Sequence, residues 1–236
     1  MLIGPLIGAY CGPSLRLKPH RNAVATAIIG LSQAFTFRLG DEAPQRTRFA
    51  LAPAGALHGV DADGAMLFVY LDAADPTVAR LSQTLTPSTE ATCSAWADLL
   101  ARAPASLAGL KDAVGQLFGE REERAPCDPV IADVAQAIAA DPATFVGVAV
   151  AARRAGLTQA QFQRRFSRAM GMPFRRYRLW RRMAVALMAM SRGTSLTHAA
   201  FDAGFSSSAH LSAAFMTMFG LAPSALLKSG VQIRLE

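Results

Sequence analysis

The chain has 236 residues, 52% of them hydrophobic, with 24 Lys+Arg against 17 Asp+Glu and a formal net charge of +7. That length allows one large domain or two small ones with real cores. The charge is unevenly placed: residues 1–124 hold 11 basic and 12 acidic side chains, net −1, whereas residues 125–236 hold 13 and 5, net +8. A near-neutral half joined to a basic half points to two domains, the second suited to a polyanion.

Cys11, Cys93 and Cys127 are odd in number and widely spaced, with no CxxC pair. They exclude a disulfide framework and a zinc site, so reduced thiols in the cytoplasm are expected. Residues 1–12 are apolar but lack a basic start and are interrupted by Pro5 and glycines, so no signal peptide is expected. No apolar run approaches the length of a membrane span.

Within about 14–71 the chain reads as short strands over 23–29, 34–38, 48–52, 57–60 and 65–71, separated by turn clusters at 39–41, 52–55 and 61–64. Several short strands at this spacing predict a small barrel or sandwich. From Asp75-Pro76 the pattern turns helical, with helices expected between about 76 and 118. The last carries a stripe of Leu110, Val114, Leu117 and Phe118. The charged segment ending at Pro126 reads as a linker over 121–127. Domains of 1–120 and 128–236 follow.

Asp128-Pro129 opens the second domain with a helix whose apolar face is Val130, Ile131, Val134 and Ile138. Eleven arginines then lie between Arg153 and Arg192 with no Asp or Glu among them. Unbroken positive charge is costly in self-repulsion unless a polyanion uses it. Inside this run Gly156 breaks a short Ala-rich helix. Thr158 can cap the next helix, with Gln161 three residues on completing a capping box. Phe162, Phe166 and Met170 recur at i, i+4, i+8 and mark its buried face, while Ala160, Gln163 and Arg164 fall on the other side. Helix, glycine turn and helix with a polar outer face make a helix-turn-helix.

The pattern repeats. Val148, Ala151, Ala152, Ala155 and Gly156 correspond to Leu196, Ala199, Ala200, Ala203 and Gly204; Phe162, Phe166 and Gly171 correspond to Leu211, Phe215 and Gly220; Pro173 corresponds to Pro223. Between the copies, a helix from Pro173 to Ser191 is expected, with Pro173 in its first turn. Ser195 caps the second motif, whose recognition helix would run over about 207–219. A helix of about 18 residues is about 27 Å long. Successive major-groove faces of B-DNA lie roughly 34 Å apart. One chain could therefore read two adjacent major-groove segments.

Residues 128–228 resemble the double helix-turn-helix domain of the AraC/XylS transcription regulators. The resemblance rests on Ala199-Ala200-Phe201-Asp202-Ala203-Gly204-Phe205-Ser206-Ser207-Ser208-Ala209-His210-Leu211-Ser212, then Phe215, Phe219-Gly220 and Pro223. Gly171-Met172-Pro173-Phe174-Arg175-Arg176-Tyr177 is similar to the entry of that family's linker helix. Residues 14–75 resemble more weakly the family's cupin-like N-terminal domain, through Ala52-Pro53-Ala54-Gly55-Ala56-Leu57-His58-Gly59-Val60. The implied fold is α+β: a small cupin-like β-barrel with following helices, then an all-α domain of two helix-turn-helix motifs joined by a long linker helix.

The resemblance places base reading on Ala160, Gln163 and Arg164 in the first motif and on Ser208, Ala209, His210 and Ser212 in the second. Gln pairs bidentately with adenine and Arg with guanine. The second helix departs from the family in carrying no charge around Ala213 and Met216-Thr217, so the first motif is expected to dominate. Phosphate contacts are expected from among Arg153, Arg154, Arg165, Arg168, Arg175, Arg176, Arg178, Arg181 and Arg182, although these surround their helices and some must pack elsewhere. The partners implied are promoter duplex DNA, RNA polymerase, a small-molecule effector and a second copy of the chain, in a bacterial activator with no catalytic residues and no cofactor. His20 and His58 are the candidate effector contacts. Read instead as a metal pair they would make a cupin-fold metalloenzyme with an appended DNA-binding domain, but they lack an HxH or Glu companion.

Overall fold

The computed structural model describes residues 2–3, 7–72, 98, 109, 112, 128–145, 147–229 and 234–235. Apart from three single residues, the helices expected over 76–118 lie outside the described residues, as does the linker over 121–127.

The first domain is built from β1 (Leu2–Ile3), β2 (Ile7–Pro13), β3 (Ala25–Gly30), β4 (Phe35–Leu39), β5 (Gln45–Thr47), β6 (Phe49–Ala52), β7 (His58–Asp61) and β8 (Ala65–Leu71), joined by β9 (Arg234–Leu235) from the far end of the chain. These form a six-stranded sheet in the order β6-β3-β8-β2-β1-β9 and a three-stranded sheet in the order β5-β4-β7. All five expected strands are present to within two residues at either end. Four strands, β1, β2, β5 and β9, were not anticipated. β2 holds two glycines and a proline, which read as breakers, yet β8 pairs with it from Ile7↔Leu71 to Pro13↔Ala65. β9 adds in parallel to β1, so the chain end returns to the first sheet.

β8 is central, and its run of Met66-Leu67-Phe68-Val69-Tyr70-Leu71 is buried throughout. Alternation puts Met66, Phe68 and Tyr70 on one face. That face belongs to the same hydrophobic cluster as the core of the helical domain. The two domains thus share a continuous apolar interior.

The helical domain comprises α1 (Pro129–Ala140), α2 (Val148–Arg154), α3 (Gln159–Met170), α4 (Phe174–Ser191), α5 (Leu196–Asp202), α6 (Ser208–Phe219) and α7 (Pro223–Lys228). α7 was not anticipated. Pro173 stands at the N-cap of α4, one position before the helical turn expected for it. At α3 the capping box forms: Gln161 N–H donates to Thr158 Oγ1 at 3.3 Å, and Thr158 N–H donates to Gln161 Oε1 at 3.0 Å. Such a cap is worth about 1 kcal/mol. Phe162, Phe166 and Met170 are buried beneath it.

The repeat has a physical cause. Ala151, Ala152, Ala199 and Ala200 are buried at equivalent crossings, where only a small side chain lets the two helices of each motif approach. Gly156 and Gly204 carry φ of +67° and +75° at the equivalent turns, which glycine adopts without strain.

Candidate nucleic-acid interface

α3 presents Ala160, Gln163 and Arg164 to solvent, opposite its buried phenylalanines. α6 presents Ala209 and His210, with Ser208 and Ser212 half-buried beside them. Ser207 caps α6, its Oγ accepting from His210 N–H at 3.1 Å. Each motif thus offers the start of one helix outward. α4 separates them; its 18 residues give a length of about 27 Å.

The nine arginines divide. Arg153, Arg154, Arg168 and Arg175 are exposed. The other five are engaged by the protein. Arg165 forks onto Asp128, with Nε to Oδ2 at 2.5 Å and Nη2 to Oδ1 at 2.7 Å, tying α3 to the start of α1. This hydrogen-bonded guanidinium holds the Asp128 carboxyl below its ordinary value. Arg176 lies against the turn at Gly55, where an added Cβ would collide with its guanidinium. Arg178 is half-buried, 6.0 Å from the Phe174 ring. Arg181 is only 5% exposed and donates to Ala139 O at 3.2 Å and to Asp72 Oδ2 at 3.5 Å. Arg182 donates through Nε to Ala203 O at 2.8 Å and through Nη2 to Gly204 O. The charge run in the sequence did not reveal this division, because it depends on which way each arginine points around α4.

Sequence reasoning also missed the seam between the domains. Lys18 N–H donates to Gly220 O at 2.9 Å, and Arg21 N–H donates to Thr217 O at 3.1 Å. A loop of the first domain thereby satisfies carbonyls at the end of α6, groups that a helix leaves unpaired. Trp180 of α4 donates to Asp72 Oδ2 at 3.0 Å, and the Tyr70 ring packs edge-on against Phe219, 5.7 Å between centroids. Beside these contacts a narrow apolar crevice, with a cavity volume of about 20 Å³, runs between the domains. Tyr10, Leu15 and Leu17 line one side, and Phe215, Phe219 and Leu226 the other.

His20 and His58 lie buried near this seam, paired through a β-bridge, with ring centroids 4.4 Å apart. Each Nδ1 meets a backbone carbonyl, Lys18 O at 2.8 Å and Ala56 O at 3.1 Å. Burial and the neighbouring His58 push the His20 imidazole down to about 4, and burial lowers His58. Asn22, fully buried, completes the cluster. Its Nδ2 lies 3.4 Å from His58 Nε2, and its Oδ1 has no partner. Among the described residues, no group of three or more His, Cys, Asp or Glu is placed to hold a metal ion. Among them, too, no helix is long and apolar enough to cross a membrane.

Two outward helix starts on one rigid spacer define a DNA-binding protein of the double helix-turn-helix class. Residues 151–229 match a family model described as a helix-turn-helix domain, of the AraC type. The chain therefore carries an AraC-type helix-turn-helix, DNA-binding domain over those residues. Its fold is similar to that of ToxT from Vibrio cholerae at 1.65 Å, with a TM-score of 0.61 and 10% identity over 95% of this chain and 98% of that one. It is similar also to wild-type ToxT from Vibrio cholerae strain SCE256 with an unsaturated fatty acid bound, with a TM-score of 0.60 and 11% identity over 96% of each chain. No curated protein matches the chain by sequence.

Proposed function

We propose that the protein reads a specific duplex sequence by placing α3 and α6 in two adjacent major-groove segments, and that a small molecule held by the first domain controls it. The observation that carries the reading is the outward face of α3. There Gln163 and Arg164, the two side chains best suited to adenine and guanine, stand exposed over a buried phenylalanine pair. Arg153, Arg154, Arg168 and Arg175 supply phosphate contacts around them. α6 carries no charged side chain, so it adds less affinity. The protein acts in the cytoplasm without catalysis of its own, as a homodimer that engages RNA polymerase.

The test is selection of binding sites from random duplex DNA. Affinity for the selected site is then compared with scrambled duplex at several salt concentrations. The expected result is a specificity ratio of about 10³ or more, lost when Gln163 and Arg164 are both replaced by Ala. A ratio near one with a steep salt slope would overturn the reading.

For the effector, the crevice is better placed than the His20–His58 pair. It opens between the domains and is lined by apolar side chains, whereas both imidazoles are buried and already hydrogen-bonded. Its apolar lining suits an apolar effector, which would have to widen it on binding, and the fatty acid bound by the structural neighbour ToxT also favours that class. A thermal-shift screen finds such a ligand: at a hundred times its Kd it adds about 2.7 kcal/mol of stability.

A further inference from the structure

Arg182 leaves the linker helix α4 and reaches the turn of the second motif. Its fork donates to the carbonyls of Ala203 and Gly204, the first at 2.8 Å. Those carbonyls end α5, where a helix presents unpaired acceptors and partial negative charge. The same guanidinium lies 4.1 Å from the centroid of the Phe205 ring. Stacking of a cation at this distance adds to the hydrogen bonds. Phe205 is 2% exposed, and its ring meets His210 edge-on, with centroids 5.2 Å apart at 85°. On its other side the His210 Nδ1 is 3.0 Å from Ser206 Oγ. His210 is the third residue of α6 and is exposed.

We propose that Arg182 is a positioning residue for base reading by the second motif: through Phe205 it sets the plane of the His210 imidazole. The inference rests on the DNA-reading function proposed above. A Ser206 hydroxyl that donates to Nδ1 leaves the ring proton on Nε2, because the bond made by one nitrogen sets the state of the other. Nε2 is then a donor, matched to the major-groove acceptors of guanine, N7 and O6. The linker helix thus carries more than spacing. One of its side chains transmits its orientation to a base contact in the second motif. Among the described residues the first motif is tied differently: Arg165 joins α3 to Asp128 of the preceding segment.

The experiment uses the full chain and the duplex selected for it. The base pair read by His210 is the one whose discrimination H210A removes, expected as a guanine preference of about tenfold. R182A should reduce discrimination at that pair to the H210A level and leave discrimination at the pairs read by Gln163 and Arg164 intact. The double variant R182A/H210A should lose nothing further there. R182K, which keeps the charge but not the planar fork, serves as the second variant should R182A fail to fold, with the same loss expected. A uniform loss of affinity with discrimination retained at the His210 pair would overturn the inference. So would additive effects in the double variant, or a wild-type protein that discriminates only at first-motif pairs. A wild-type protein with no sequence preference at any pair would instead overturn the reading on which the inference rests.

Discussion

Trp180 and Asp72, 108 residues apart, meet across the seam, the indole N–H donating to the carboxylate at 3.0 Å. Asp72 directly follows the central strand β8 and is fully buried, while Trp180 and Arg181 are successive residues of the linker helix. The first domain therefore grips the spacer that separates the two recognition helices. Its loop at Lys18 and Arg21 grips the end of α6 as well.

Replacing Asp72 by Ala leaves Arg181 buried beside no carboxylate at that site. Breaking one partner of a buried pair costs about 3–5 kcal/mol. Urea unfolding should show that loss. The double variant D72L/R181M, which removes both charges, should recover most of it, because the buried charge is then gone rather than orphaned.

The arginines should separate in the salt dependence of DNA binding. Each genuine phosphate contact contributes about one unit of slope in log affinity against log salt. Ala at Arg153, Arg154, Arg168 or Arg175 should each lower the slope by about one. Ala at Arg165 or Arg181 should leave the slope unchanged and reduce thermal stability instead, since these side chains are held by Asp128 and Asp72.

Gly171 and Gly220 occupy matching positions after α3 and α6, with φ of +67° and +73°. Around Gly171 an added Cβ meets nothing within 4 Å, so G171A should lose only the left-handed backbone preference, about 1 kcal/mol. At Gly220 the Cβ would collide with Lys18 O and come within 2.8 Å of His20 Nδ1. G220A should therefore disturb domain docking and cost clearly more than G171A when both are unfolded in urea.

The histidine pair predicts acid sensitivity. Burial holds the folded-state His20 at about 4, below its value of about 6.5 in an unfolded chain. The unfolded state then binds more protons between these values, so stability is full above about 6.5 and falls as pH drops towards 4. His20 contributes on the order of 3 kcal/mol to that fall. H20Q should flatten the stability profile across this window, measured by urea unfolding at successive pH values.

Much of the helical half was legible because its determinants are local. Thr158 and Gln161 sit three residues apart and cap α3; Phe162 and Phe166 sit one turn apart and bury its face. The glycine turns recur at fixed offsets in both motifs. Strands β3, β4, β6, β7 and β8 were readable as short runs between turn clusters, β4 from its alternation. β2 was not, because its glycines and proline are compatible with pairing only when β8 lies beside it.

What the sequence determined by itself was the inventory: two helix-turn-helix units, a spacer of the right length, and a surplus of arginine to meet a polyanion. What the tertiary structure alone decided was the use of each charge. A helix with cations on every side cannot specify from its pattern which ones meet solvent. The buried carboxylate of Asp72 draws Arg181 inward, because such a group cannot be left unpaired away from water, while the carbonyls of Ala203 and Gly204 at the end of α5 hold Arg182 against the protein.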